Sequence, residues 1–357
     1  MAIVGLGDIR TAGGSVIRYR GLLPSKYPEV LRANDAITAL NDLPVTRARD
    51  CWSEHVLSVR ERLAAGDRRL YENMARPKEH WDPGFEVVPC ESREEVYARL
   101  GTAIGLRMSE MAEKDGGTFT LACGPVPNFR YAADAINLRG IPLKDKVFIA
   151  AMDDWAVPKS DGKLLYKPGE KGSFAQTFKE VFLRYIKRDL RPDREMVEWG
   201  NVKSLSTRTD KQLHYKDRVI NYGVGRAMHR AFFDPNHAKA LMDAGIDPER
   251  VVFLAGARVT EETLTGQNDI TGYPWGCPSE YANTIGPVLL NAVPEYGLGG
   301  CDGYYSDCGE TWQAPAIQTV LSLKQPDITA IASYLVTKPG KLYVVDKLLE
   351  PVGGEVH

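Results

Sequence analysis

The chain reads as an α/β protein: a doubly wound, mostly parallel Rossmann-like sheet with helices on both faces, behind an irregular N-terminal extension. Three observations predict this. From Phe85 onward, apolar runs too short for helices alternate with amphipathic runs of helical period. Most of the short runs end in a turn marked by glycine or proline. Residues 118–122 read as a fully buried strand, the kind found where helices cover both faces of a sheet. In such folds ligands bind beyond the carboxyl ends of the strands.

Residues 1–84 lack the alternation and mix Arg and Pro with short apolar pieces. We expect helices there over 52–65 and 70–74, in an extension that wraps the main domain, contacts a neighbouring subunit or regulates it. Gly5, Gly7, Gly13 and Gly14 miss the Gly-x-Gly-x-x-Gly spacing of a dinucleotide turn and lack a strand–helix context, so no such site is predicted. Residues 85–357 form the α/β domain, with a first strand over 85–89. Ser92-Arg93-Glu94-Glu95 is a capping box opening an amphipathic helix that runs to about 114 and ends at Gly116-Gly117. The strand over 118–122 leads into the turn Cys123-Gly124-Pro125-Val126-Pro127 and a helix over 129–138 stopped by Gly140. A strand over 146–151 then delivers Met152-Asp153-Asp154-Trp155. Phe174, Phe178, Val181, Phe182, Tyr185 and Ile186 recur at helical spacing behind a Ser173 cap, a stripe that belongs to the core. Strands over 218–222 and 251–255, helices over 237–244 and 279–291, and further pieces over 327–336 and 342–345 complete the domain.

Composition bounds the function. With 43% hydrophobic and 26% charged residues over 357 positions, this is ordinary soluble globular material. A net charge of -2 argues against nucleic acid or an anionic membrane as partner, since both demand a basic surface. No run has the length of a membrane span and the start shows no basic-then-apolar leader, so a cytoplasmic location is expected. Cys51, Cys90, Cys123, Cys277, Cys301 and Cys308 show no Cys-x-x-Cys spacing, which points to reduced thiols. Cys301, Asp302, Asp307, Cys308, His214 and His237 lack the spacing of a metal-binding helix. Only the fold could assemble a metal site from them, and no cofactor is called for.

The strongest local signal runs from Val219 to Pro235. A strand-length apolar run leads to Gly223 and Gly225, and His229 and Asp234 follow, where strand ends deliver side chains into a cleft. Glycine lets the backbone turn and approach a ligand, and histidine takes and gives a proton near neutrality. A lone histidine behind a glycine turn serves structure more often than catalysis, so the reading needs partners elsewhere in the chain.

Three pieces, in order, supply them, and together they resemble the glucosamine-6-phosphate deaminase and 6-phosphogluconolactonase superfamily. Ala151-Met152-Asp153-Asp154-Trp155 resembles its Met-Asp-Glu-Tyr strand end. Gly223-Val224-Gly225 through His229 and Asp234-Pro235 resembles its Gly-x-Gly-x-Asp-Gly-His stretch ending in Glu-Pro. Residues 279–286 look like the helix after its lid. The likeness covers 85 to the C-terminus. It implies that Asp153 moves a proton at the carbon beside a carbonyl, that His229 assists ring opening, and that Asp234 orients His229. Gly124, Asn128, Asp154, Gly223, Gly225, Arg226 and Glu280 become candidate substrate contacts, with Arg230 a further source of polar contact. Neighbouring carboxylates on a strand point to opposite faces, so Asp153 and Asp154 should not both reach one substrate. Tyr273, Trp275, Tyr304, Tyr305 and Trp312 are available to face a ring.

The departures from the family pattern narrow the substrate. Ala227 stands where the family has Asp two residues before the histidine. Gly124-Pro125-Val126-Pro127 replaces a Gly-rich, Thr-containing phosphate loop, and its prolines delete two backbone donors. Residues 263–277 contain no arginine, and Asp269 lies near the place of the family's phosphate-gripping one. The expected ligand is therefore a small cyclic polyol or sugar-like ring without phosphate, handled by a homo-oligomer. Within the resemblance this points to the inositol-catabolic hydrolase of 3-dehydro-scyllo-inosose. Alternatives are an amino-sugar-phosphate deaminase or isomerase, a sugar lactonase, and a non-catalytic sugar-binding regulator.

Overall fold

The computed structural model describes residues 8–10, 16–18, 43–158, 164–165, 173–199, 211–271, 279–303 and 313–351. Near the N-terminus β1 (Asp8–Arg10) and β2 (Val16–Arg18) pair antiparallel. Helices α1 (Glu54–Ala64) and α2 (Arg68–Glu72) follow. Each is opened by a side-chain cap, Ser53 accepting from the Val56 N–H and Asp67 from the Arg69 N–H. Val56, Val59 and Leu63 of α1, with Met74 and Trp81, pack into the same core as the sheet beyond them.

The chain continues with β3 (Phe85–Cys90), α3 (Arg93–Glu113), β4 (Gly117–Leu121), α4 (Asn128–Arg139), β5 (Val147–Ala151) and β6 (Asp153–Trp155). A short antiparallel pair, β7 (Val157–Pro158) and β8 (Leu164–Leu165), leads to α5 (Phe174–Val181) and β9 (Val197–Glu198). Then come β10 (Asp217–Tyr222), α6 (Pro235–Asp243), β11 (Phe253–Arg258), α7 (Glu261–Thr271) and β12 (Tyr281–Ile285). The last elements are β13 (Tyr296–Cys301), α8 (Gln313–Ser322) and β14 (Gly340–Val345).

Seven strands form one parallel sheet in the order β3-β14-β13-β10-β4-β5-β9, surrounded by helices, which is the doubly wound α/β fold expected. Every position of β4 and β5 is buried, so neither strand shows an exposed polar face in its sequence. Helix α3 opens with Ser92 accepting from the Glu95 N–H at 3.2 Å. The Glu95 carboxylate reaches past the cap to the Glu91 N–H at 2.7 Å, so only half of the expected box is reciprocal. Gly140, at φ 68°, ends α4 in the left-handed conformation.

A second, three-stranded antiparallel sheet, β11-β12-β6, holds two segments that differ from expectation. The strand expected over 251–255 forms at Phe253–Arg258 and belongs here. The helix expected over 279–291 is instead β12 followed by a π-helical turn, Val288–Ala292. Tyr281–Ile285 is bonded on both sides, and the β-branched Thr284 and Ile285 suit that setting. A Cβ on Gly286 would strike the Val251 backbone, so the chain turns there at a close crossing.

The aromatic stripe forms a helix only to Val181; a 3-10 turn over Leu183–Tyr185 replaces its last part, leaving Tyr185 46% exposed. The piece over 327–336 is a 3-10 segment, Ile331–Thr337. Among the described residues no helix is long and apolar enough to cross a membrane.

Candidate active site

Strands β4, β5 and β10 are neighbours and parallel, so the turns at their carboxyl ends share one edge of the sheet. The turn after β10 carries His229. Its strain falls on two residues that are not glycine, Met228 at φ 57° and Ala231 at φ 53°. Three distant segments hold it in place. The Ala332 N–H donates to Met228 O at 3.0 Å, the Trp52 indole donates to Ala227 O at 3.3 Å, and Thr284 Oγ1 accepts from the Phe232 N–H at 3.1 Å.

Gly225 serves the imidazole rather than the turn. A Cβ there would fall on Cε1 and Nε2 of His229, far inside contact distance. Only glycine leaves the ring its place.

On the other side of that ring, His229 Nδ1 lies 2.8 Å from Thr263 Oγ1 and 3.2 Å from Asp234 Oδ1. The Thr263 hydroxyl donates to Asp234 Oδ1 at 2.8 Å, and Thr260 donates to Asp234 Oδ2 through N–H at 2.7 Å and Oγ1 at 2.9 Å. With the threonine proton on Asp234, Nδ1 must carry its own proton and donate it, which leaves Nε2 as the basic nitrogen. The ring is 8% exposed and no described residue hydrogen-bonds Nε2.

Asp234 is 1% exposed. Burial pushes its carboxyl up, but the charge and hydrogen bond of His229, followed by His237 and the Thr260 N–H, outweigh it and hold the group below its ordinary range. The carboxylate thus lies where a residue orienting His229 must be. Neither Thr260 nor Thr263 was found by sequence reasoning. The Thr-Glu-Glu-Thr run that starts α7 signals a helix start, but nothing local in it points to Asp234.

Asp153 is buried, 6% exposed, in β6. It pairs across the antiparallel sheet with Thr284, the residue whose hydroxyl holds the Phe232 N–H, so one side chain ties the Asp153 strand to the His229 turn. The expectation of a ligand contact at Asp154 is corrected. Its carboxylate is 0% exposed and accepts from the N–H groups of Trp155, Phe174 and Ala175 at 2.8, 3.0 and 3.0 Å. It fastens the start of α5 to β6, the work of a cap.

In the turn after β4, the Gly124–Pro125 peptide is cis and a Cβ on Gly124 would meet nothing within 4 Å. The N–H groups of Asn128, Phe129 and Arg130 donate to the carbonyls of Pro125, Val126 and Pro127 at 3.3, 3.2 and 3.3 Å. The one arginine in the first turn of α4, Arg130, pairs with Asp134 and lies over the Tyr185 ring. Asn128 is 0% exposed, and its Oδ1 and Nδ2 both lack a hydrogen-bond partner. Its burial follows from Gly101 and Gly105 of α3: a Cβ on either would strike the carbonyl of Asn128 or Ala132, so the two helices cross at backbone contact.

The other candidates are more peripheral. Gly223 has ordinary room for a Cβ, 3.7 Å from Gly300 O. Arg226 reaches Thr265 Oγ1 at 3.5 Å and packs on Gly266 of α7. Glu280 is exposed, 3.8 Å from Arg258. Arg230 is buried among Tyr222 and Asn291. Tyr273, Trp275, Cys277, Tyr304, Tyr305, Asp307, Cys308, Trp312 and the side chain of Asp269 lie outside the described residues. Among those described, no group of three or more His, Cys, Asp or Glu could hold a metal ion, and Cys51, Cys90, Cys123 and Cys301 are free thiols.

No protein-family model and no curated protein matches the chain. Among solved structures, a monomeric glucosamine-6-phosphate deaminase described as a missing link of the NagB superfamily superposes with a TM-score of 0.56 at 15% identity, covering 73% of this chain and 98% of that one. The chain has the fold of that deaminase. A 6-phosphogluconolactonase from Shewanella baltica OS155 matches at 0.47 and 12% identity, over 76% of this chain and 99% of its own. Another from Trypanosoma cruzi matches at 0.48 and 11%, over 78% and 98%. The resemblance read from the sequence holds for the deaminase fold; the chemistry must be argued from the site.

Proposed function

We propose that this chain is a hydrolase that opens an unphosphorylated, oxidised cyclitol ring by carbon–carbon cleavage, with 3-dehydro-scyllo-inosose, a cyclic diketone, as the substrate type. The observation that carries this reading is His229, whose Nδ1 is committed to Thr263 and Asp234 while Nε2 stays basic beside Gly225. In the reaction Nε2 takes a proton from water as its oxygen bonds to one ring carbonyl, and Asp234 stabilises the imidazolium that forms. The tetrahedral alkoxide collapses to a carboxyl group and breaks the carbon–carbon bond. The electron pair moves onto the neighbouring carbon as an enolate of the second carbonyl. Asp153, in its acid form, protonates that carbon and is reset by the proton the new carboxyl sheds, while His229 returns its proton to solvent.

The turn after β4 supports a ligand without phosphate. Pro125 and Pro127 have no N–H, and the N–H groups of residues 128–130 are already bonded to the turn's own carbonyls.

Incubating the purified protein with amino-sugar phosphates, sugar lactones and singly or doubly oxidised inositols, and identifying products by NMR, tests this reading. The expected result is an open-chain keto acid from a diketo-inositol alone. Turnover of glucosamine 6-phosphate at the efficiency of a metabolic enzyme overturns the cyclitol reading.

A further inference from the structure

Behind the His229 turn lies a second polar cluster that the proposed chemistry leaves unused. Tyr222 ends β10 with its ring laid against Gly297 and Gly299 of β13, two positions where a Cβ would collide with it. Arg230, 1% exposed, sets its guanidinium 4.7 Å from the centroid of that ring. Its Nη1 donates to Asn291 Oδ1 at 2.7 Å, while Nε and Nη2, the Tyr222 hydroxyl and the Asn291 Nδ2 have no hydrogen-bond partner. Lys338, 6% exposed, donates through Nζ to the carbonyls of Asn291 and Pro294. Asn291 therefore ties two buried cations together, and no described carboxylate forms an ion pair with either.

Burial lowers the Arg230 guanidinium to about 10 and the Lys338 ammonium to about 7, the charge of Arg230 adding to the effect on Lys338. Burial thus disfavours the charged form of each group, and for Lys338 the neighbouring guanidinium adds to that cost. Water would satisfy the N–H and O–H groups but leave the charge; an anion answers both. We infer that Arg230, Lys338, Tyr222 and Asn291 form a binding site for one inorganic anion of halide size. A halide is the anion that needs the least room among side chains as buried as Tyr222, Arg230 and Lys338, which are 0, 1 and 6% exposed.

The site joins three segments at the back of the catalytic turn. Arg230 belongs to that turn, Asn291 to the π-helical turn Val288–Ala292, and Lys338 follows the 3-10 segment Ile331–Thr337, whose Ala332 N–H holds Met228 O. A bound halide braces the loop that carries His229.

The test compares sodium chloride and sodium bromide with sodium methanesulfonate at equal ionic strength. Either halide should give a saturable Tm rise of about 2–4 °C that methanesulfonate does not. Crystals soaked in bromide should show an anomalous peak in contact with Arg230 Nη2 and Lys338 Nζ. Lys338→Met and Arg230→Gln should each remove the halide-dependent rise; if Arg230→Gln fails to fold, Lys338→Met and the bromide position decide. A flat halide response, or bromide found only elsewhere, overturns the proposal.

Discussion

His229 and His237 flank the same buried carboxylate, and only one of them is equipped for chemistry. His229 commits Nδ1 to the Thr263–Asp234 pair and keeps Nε2 beside a glycine. His237 spends both nitrogens. Its Nδ1 accepts from the Asp234 N–H at 3.1 Å, its Nε2 lies 2.7 Å from Arg258 O, and it is fully buried in the first turn of α6. Burial holds its imidazole below the ordinary value of 6.5, despite the nearby Asp234 charge and the Arg258 carbonyl. The contrast teaches that a histidine beside a carboxylate becomes a candidate base only when its second nitrogen has been left without work.

The largest expected effect breaks that contrast from the active side. His229→Asn should lower kcat about 10²–10⁴-fold in the cyclitol assay while leaving the fold intact by circular dichroism. Gly225→Ala should also be severe in the native chain because the new methyl meets the ring. In a His229→Ala background the same substitution should cost almost no stability, a non-additivity that a thermal double-mutant cycle reads directly. Additive effects would show that the ring is not what Gly225 makes room for.

An intermediate effect is expected at the bridge. Thr263→Val removes the hydroxyl between Nδ1 and Asp234, and a kcat loss of about tenfold with little change in KM would fit a positioning role. Asp234→Asn carries a pH signature. Because the folded carboxyl lies below its ordinary value of 3.8, its stabilising contribution is complete above that value and fades as pH falls through the folded one. The variant should be less stable than the native chain near neutrality and converge with it in acid.

The smallest catalytic effect belongs to His237. His237→Gln should keep activity within about threefold yet lose about 1–3 kcal/mol of stability in denaturant titration, through its unsatisfied neighbours. The unfolded chain binds a proton at His237 more readily than the folded one, so native stability should be full above about pH 6.5 and decline below it. The glutamine variant should lack that decline. Loss of activity with stability unchanged would reverse the roles assigned to the two histidines.

The legibility of the elements followed how local their causes were. Helices α3 and α4 were readable because Ser92 and Gly140 mark ends within the helices' own sequence. Strand β13, Tyr-Gly-Leu-Gly-Gly-Cys, was not. Its glycines exist because the Tyr222 ring and the Leu100 side chain of α3 occupy the space where side chains would be, and both come from elsewhere in the chain. The misreading of 279–291 has the same origin, since β12 is a strand through its pairing with β6 and β11.

By itself the sequence determined the alternation that builds a parallel sheet, the turn holding Gly225, His229 and Asp234, and a β4 turn poor in backbone donors. Those depend on neighbours in the chain and on the chemistry of single residues. Tertiary structure decided that Asp154 caps α5, that His237 is structural, and that Thr260 and Thr263 stand between His229 and its carboxylate. It also brought the N-terminal segment to the site, where the Ala48 N–H donates to Glu262 of α7 at 2.5 Å and Trp52 holds Ala227. A hydrogen bond is fixed by where two groups end up in space, and for these pairs only the closing of the whole fold sets that distance.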